Sequence, residues 1–162
     1  MSTARVPSTP AVLALRAANI AFTPHFYTHE EKGGTAVSSR ELCVDEYQVV
    51  KTLVMEDDRH APLVVLMHGN RKVSTKALAR AIGVKSVAPC TPEVAQRHSG
   101  YRVGGTSPFG TRRAMPVYIE SSILELPKIA INGGRRGYLV GIDSQVCVAL
   151  LGASPVQCAL AE

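Results

Sequence analysis

The chain has 162 residues, 46% of them hydrophobic, and a mean hydropathy of +0.08, enough for one cored domain that needs no metal or disulfide to hold it and too apolar for a disordered chain. Its apolar runs are too short to span a bilayer, and Cys43, Cys90, Cys147 and Cys158 form no CxxC pair and have no histidine at ligand spacing, so membrane insertion and a zinc site are not expected. The net charge of +5 is unevenly placed: residues 94–119 carry Arg97, Arg102, Arg112 and Arg113, and residues 126–142 carry Lys128, Arg135 and Arg136, in both cases without an acid.

A first amphipathic helix is expected after a loose tail of residues 1–8, with Thr9 as N-cap, Pro10 at N1 and an end near Asn19. Phe22 to His29 reads as a strand that puts Tyr27 on the same side as His25 and His29. Gly33 and Gly34 break the chain before a second helix from Thr35 to Leu42. Val49 to Met55 is the next strand, and its alternation aligns Lys51 with Val49, Leu53 and Met55. A lysine on an apolar face either protects a sheet edge or projects into a pocket. A hairpin loop at 57–62 leads to a buried strand from Pro62 to His68. Ser74 caps a helix through Ala81 closed by Gly83, Val84 to Ala88 is a short strand, and Thr91-Pro92 starts a helix ending by Gly100.

That helix runs into Ser99 to Arg113, SGYRVGGTSPFGTRR, with four glycines, three arginines and no acid. Such a loop is costly to order. Gly104 and Gly105 leave backbone N–H groups bare, and Pro108 with Gly110 fixes the far side of the turn, which suits an anion or oxyanion cradle; a surface loop with solvated arginines is the competing reading. Strands follow at Pro116 to Glu120, Ile129 to Asn132 and Tyr138 to Ile142, the last two joined by a second basic glycine turn, Asn132 to Gly137. Ser144 is expected to cap a final helix to Leu151, with a further turn over 154–162. The mixture predicts a single α+β domain, residues 9–162, with a mixed, curled, barrel-like sheet flanked by helices.

Lys51-Thr52-Leu53 on a strand, then Val94-Ala95-Gln96-Arg97 ahead of Gly100 to Gly110, then Gly133-Gly134-Arg135-Arg136-Gly137 form an ordered set. This set resembles the YbaK/EbsC family of free-standing Cys-tRNA(Pro) deacylases, related to the editing domain of prolyl-tRNA synthetase, and the resemblance covers nearly the whole chain. It implies a YbaK-like fold with Lys51 central to activity and the Gly104–Pro108 loop lining an aminoacyl pocket. It also implies that Tyr27, Thr52, Thr106, Ser107, Pro108, Asn132, Gly133 and Gly134 hold substrate. Two positions depart from the family pattern: Asn132 stands where many members have serine, and Leu139 where they have aspartate.

Ester cleavage on tRNA needs an oxyanion donor, positioned reactants and held phosphates. Gly104 and Gly105 can supply the first, Lys51 can engage the terminal phosphate or ribose, and Arg97, Arg102, Arg112, Arg113, Arg135 and Arg136 can track the acceptor stem. There is no Ser-His-Asp order, G-x-S-x-G elbow or metal set. The resemblance therefore implies attack by the substrate's own thiol or a ribose hydroxyl. Cys90, ahead of a helix start, is the single thiol with an activating neighbour in sequence, while Cys43, Cys147 and Cys158 read as buried hydrophobes. Of the five histidines, His29 alone is singled out. The expectation is a cytoplasmic enzyme without cofactor or metal, acting on aminoacyl-tRNA beside prolyl-tRNA synthetase. A deacylase for alanine or serine, or a non-catalytic tRNA- or synthetase-binding module, is the alternative.

Overall fold

A computed structural model describes residues 5–160, so the first four residues of the expected tail and the last two of the chain lie outside the described residues. Helix α1 spans Pro10–Ala17, and Thr9 caps it by accepting the Val12 N–H at 3.1 Å. It stops short of Asn19 because Asn19 adopts a left-handed φ of 57°. Strand β1 is limited to Thr23–Phe26, and α2 spans Gly34–Leu42. A 3-10 turn at Glu46–Gln48, not anticipated from the sequence, leads into β2, Val49–Asp57, and then β3, Pro62–His68.

Helix α3, Thr75–Ile82, is bounded by Ser74 and Gly83 as expected. The following strand, β4, is Val87–Pro89 rather than 84–88, because the Val84 N–H still bonds back to the Ala79 carbonyl of the helix. Helix α4 is Pro92–Ser99, capped by Thr91 and closed by Gly100 in a left-handed conformation. The chain continues through β5 (Val117–Glu120), a second 3-10 turn (Ser121–Glu125), β6 (Lys128–Arg135) and β7 (Tyr138–Asp143) to α5 (Val146–Leu151). Ser144 does not cap α5: its hydroxyl donates to the Leu126 carbonyl, and Gln145 takes the N-cap position. The expected turn after α5 is instead an edge strand, β8, Ser154–Val156.

All eight strands join one mixed sheet in the order β1-β7-β6-β2-β3-β5-β8, with β4 also on β2. Strand β3 is buried throughout because its period-2 alternation feeds two cores. Val64 and Leu66 share one core with α1 residues Ala11, Val12 and Leu15, and Leu63, Val65 and Met67 share the other with Leu78 and Ala79 of α3. Each such large aliphatic side chain contributes about 1.5–3 kcal/mol on burial.

The placement of β2 creates the site. It pairs with β6 only at Val49 and Val50, and with β4 only from Met55 to Asp57, while β3 lies along its other side from Val50 to Glu56. Residues 51–54 therefore border a split in the sheet. No helix of the described residues is long and apolar enough to cross a membrane.

Candidate active site

A cavity of about 720 Å³ opens at this split, in the size range of small-molecule sites. Its walls are the open stretch of β2, the segment after β1 with Tyr27 and His29, the start of α2, Cys90 and Ala95 around the start of α4, and Val103, Gly104 and Thr106 from the glycine loop. Asn132, Arg136 and Leu139 complete it from β6, the turn after it and β7.

Lys51 lies on an interior strand, so it does not guard a sheet edge. It lines the cavity, and its Nζ donates to the Gly69 carbonyl at 3.4 Å. Burial, joined by the like charge of Lys72 and opposed by Glu46, holds its ammonium below the ordinary lysine range. The neighbouring Thr52 hydroxyl is buried at the same wall and has no hydrogen-bond partner among the described residues. A polar ligand atom can complete it. Tyr27 is half-buried on the wall, its N–H bonded to the Gly137 carbonyl at 3.0 Å, and burial raises its phenol above the ordinary range.

The two glycines of the loop do different things. Gly104 has a φ of +87°, and its N–H has no partner among the described residues, which leaves it free as an anion donor beside the cavity. The Gly105 N–H instead closes a turn onto the Arg102 carbonyl at 2.8 Å, so Gly105 is not available as an oxyanion donor. Its lack of a side chain serves packing: a Cβ there would sit 2.9 Å from the Arg136 nitrogen and 3.1 Å from the Arg135 carbonyl carbon. Ser107 and Pro108 are buried off the cavity wall, and the Ser107 hydroxyl accepts the Phe109 N–H at 3.2 Å, so these two hold the turn instead of the substrate. Tyr101 locks the same turn by donating to the Phe109 carbonyl at 2.6 Å. Thr106 does reach the cavity.

Asn132 is the joint between the two glycine-rich turns. Its Oδ1 accepts the N–H groups of Gly134 at 2.7 Å and Arg135 at 3.1 Å, and its Nδ2 donates to the Gly104 carbonyl at 3.0 Å. Gly133 and Gly134 lie off the wall. Gly133 backs onto the Tyr138 ring, and Gly134, at φ +97°, lies against Tyr101 and Thr9. Leu139 is buried with Val49 and Ala130 and gives the cavity an apolar wall.

Arg97, Arg102, Arg112, Arg113 and Arg135 are exposed around these turns. Arg136 differs: its Nε donates to the Val103 carbonyl at 2.7 Å and its Nη1 pairs with Glu31 at 3.6 Å, so it ties three cavity-rim segments together. His29 joins this rim, with Nε2 at 4.0 Å from Glu31 and Cε1 facing the open side of Gly104. Sequence reasoning missed this latch because residues 31, 103 and 136 are joined only by the fold.

Among the thiols, Cys147 and Cys158 are buried as expected, but Cys43 is exposed where it terminates α2 at a φ of 54°. Burial and the charge of Glu56 push the Cys90 thiol up to about 11, so it is a neutral thiol at physiological pH and a poor nucleophile. The fold also brings Cys90 beside Glu56 and His98, a grouping that spacing along the chain did not reveal.

Residues 29–150 match the family model of the aminoacyl-tRNA editing domain. The chain is 27% identical over 112 residues to a protein of Enterococcus faecalis described as a candidate Cys-tRNA(Pro)/Cys-tRNA(Cys) deacylase, EbsC, covering 69% of this chain and 68% of that one. It is also 34% identical over 84 residues to the proline–tRNA ligase of Thermodesulfovibrio yellowstonii, covering 52% of this chain but 14% of the ligase. A solved structure of a candidate trans-editing enzyme for prolyl-tRNA synthetase superposes with a TM-score of 0.82 at 20% identity, over 98% of this chain and 100% of that one. The chain belongs to the aminoacyl-tRNA editing domain family, as a tRNA-editing deacylase of its YbaK/EbsC branch.

Proposed function

We propose that the protein cleaves the ester of Cys-tRNA(Pro), acting in trans beside prolyl-tRNA synthetase. The observation that carries this reading is an ammonium on an interior strand, Lys51, lining a cavity that also bears the free Gly104 N–H. The aminoacyl group occupies the cavity against Leu139. Gly104 N–H faces the developing oxyanion, Thr52 and Thr106 meet polar atoms of the substrate, and Lys51 engages the terminal phosphate or ribose.

With no activated nucleophile among the described residues that line the cavity, the attacking group is the substrate's own. The cysteinyl sulfur bonds to the ester carbon as the carbon–oxygen bond to ribose breaks. The thiol proton passes to the ribose oxygen, and the released thiolactone then takes up water. The first step is a cyclising cleavage, and hydrolysis completes it.

Single-turnover release from Cys-tRNA(Pro) and Ala-tRNA(Pro) tests this. Fast release of cysteine that stops when its thiol is alkylated is expected. Preferred release of alanine, which the apolar Leu139 wall favours as a second reading, would replace the cysteine assignment. Protection of both esters would make the protein a binding module.

A further inference from the structure

Three residues without a part in the ester chemistry above, one of them Cys90 on the cavity wall, converge at the far end of β2. Glu56 is on the strand, Cys90 follows β4, and His98 is in the last turn of α4. One carboxylate oxygen, the Cys90 sulfur and one imidazole nitrogen all lie within 4.8 Å of one another. Glu56 Oε2 and His98 Nε2 are already 2.9 Å apart, with the Cys90 sulfur within 4.8 Å of that pair. Each donor is carried on fixed backbone. The pairing of Met55 with Pro89 and the bond from Cys90 N–H to the Val54 carbonyl at 3.1 Å hold Cys90 against β2, while the Thr91 cap sets α4 and so His98.

We infer that Glu56, Cys90 and His98 bind a zinc-class divalent cation. Thiolate, imidazole and carboxylate are the donors of tetrahedral zinc sites, whereas calcium and magnesium call for oxygen sets. Tetrahedral bonds of about 2.0–2.3 Å place ligand atoms about 3.3–3.8 Å apart, so the Glu56–His98 pair must exchange its hydrogen bond for the ion and open by a few tenths of an ångström, while the Cys90 sulfur moves in by up to about an ångström. The side chains are placed for uptake: His98 is buried, whereas Glu56 is 21% exposed and Cys90 stands on the cavity wall, which gives the ion a way in and leaves a fourth position for water. Three protein ligands and one open position is the arrangement of accessible zinc sites.

The ion would clamp the root of the glycine loop. The His98 carbonyl accepts the Arg113 N–H at 3.2 Å and the Ser99 carbonyl accepts the Arg112 N–H at 2.9 Å, so both ends of the loop meet at the residue that holds the metal.

The test uses the full chain, stripped with chelator and titrated with zinc by calorimetry and with cobalt by absorption. One equivalent should bind, with a near-ultraviolet thiolate-to-cobalt band, and zinc should raise the melting temperature. Cys90→Ser should remove that band, and both Cys90→Ser and His98→Gln should weaken zinc binding by at least about tenfold. Because His98 is buried and its variant can fail to fold, the wild-type cobalt spectrum and the half-buried Cys90→Ser variant decide the matter alone. Absence of saturable uptake with metal in large excess over protein overturns the site, and so does binding unchanged in Cys90→Ser.

Discussion

A lysine whose charge the fold disfavours is best explained by what it does for a ligand. Lys51 has its ammonium held below the ordinary lysine range, so the unfolded chain binds its proton more readily than the native chain does. The resulting penalty is fully present below the lowered pKa and is relieved as pH rises through it toward 10.5. Lys51→Met removes the charge and keeps the stem. It should melt no lower than wild type at neutral pH and lose at least about 100-fold in deacylation rate. Near-normal single-turnover release by the folded variant would remove Lys51 from the mechanism. The two loop glycines offer a paired comparison at the same scale. An alanine Cβ at 104 would stand 2.8 Å from the His29 ring at a strained φ, whereas one at 105 would meet the backbone of Arg135 and Arg136. Gly104→Ala should therefore cut the rate by about tenfold or more, and Gly105→Ala should chiefly lower the melting temperature. Equal effects of the two variants on rate would dissolve the distinction between donor and packing glycine.

Individual residues act here through two glycine-rich segments, a loop that leaves the end of α4 and the bulged end of β6. The loop from Ser99 to Arg113 and the bulged turn between β6 and β7 are tied by Asn132 to the Gly104 carbonyl and by Arg136 to that of Val103. Asn132→Ala deletes one donor and one shared acceptor at once and should cost about 1–3 kcal/mol, read as a shifted denaturant midpoint with lower activity. Asn132→Asp keeps the acceptor for Gly134 and Arg135 but loses the donor to Gly104. It should retain more stability than Asn132→Ala while losing comparable activity. An aspartate variant with wild-type rate would show that the Gly104 carbonyl needs no anchor.

Across the whole molecule the question is where tRNA lies, and charge answers it through salt. The exposed arginines surround the cavity-forming turns, and each phosphate contact contributes to the slope of affinity against ionic strength. Replacing Arg112 and Arg113 together by alanine should flatten that slope by about one to two units in filter binding at several salt concentrations. Arg136→Ala should flatten it less and slow release more, because this side chain already serves Val103 and Glu31. A slope unchanged by the loss of Arg112 and Arg113 would move the tRNA to another face.

The helices with strong caps, the doubly buried strand β3 and the loop after α4 were legible in the sequence, because capping, period-2 alternation and backbone freedom are local properties, whereas the turn expected at Asn132 to Gly137 is shorter, since β6 runs on through a bulge to Arg135. Ser144 misled for the same reason: a cap residue in sequence, it donates instead to a carbonyl 18 residues away. Whether Lys51 edged a sheet or lined a pocket was not local at all. It depended on β6 and β4 pairing with opposite ends of β2, contacts that bring residue 50 to residue 131 and residue 55 to residue 89. The split between those partners makes the cavity, while bonds within the loop take Gly105 out of the expected oxyanion role and make Ser107 and Pro108 turn residues instead of substrate contacts. It also assembles Arg136 with Glu31, and Glu56 with Cys90 and His98, since side chains far apart in the chain share an environment only once the sheet has closed.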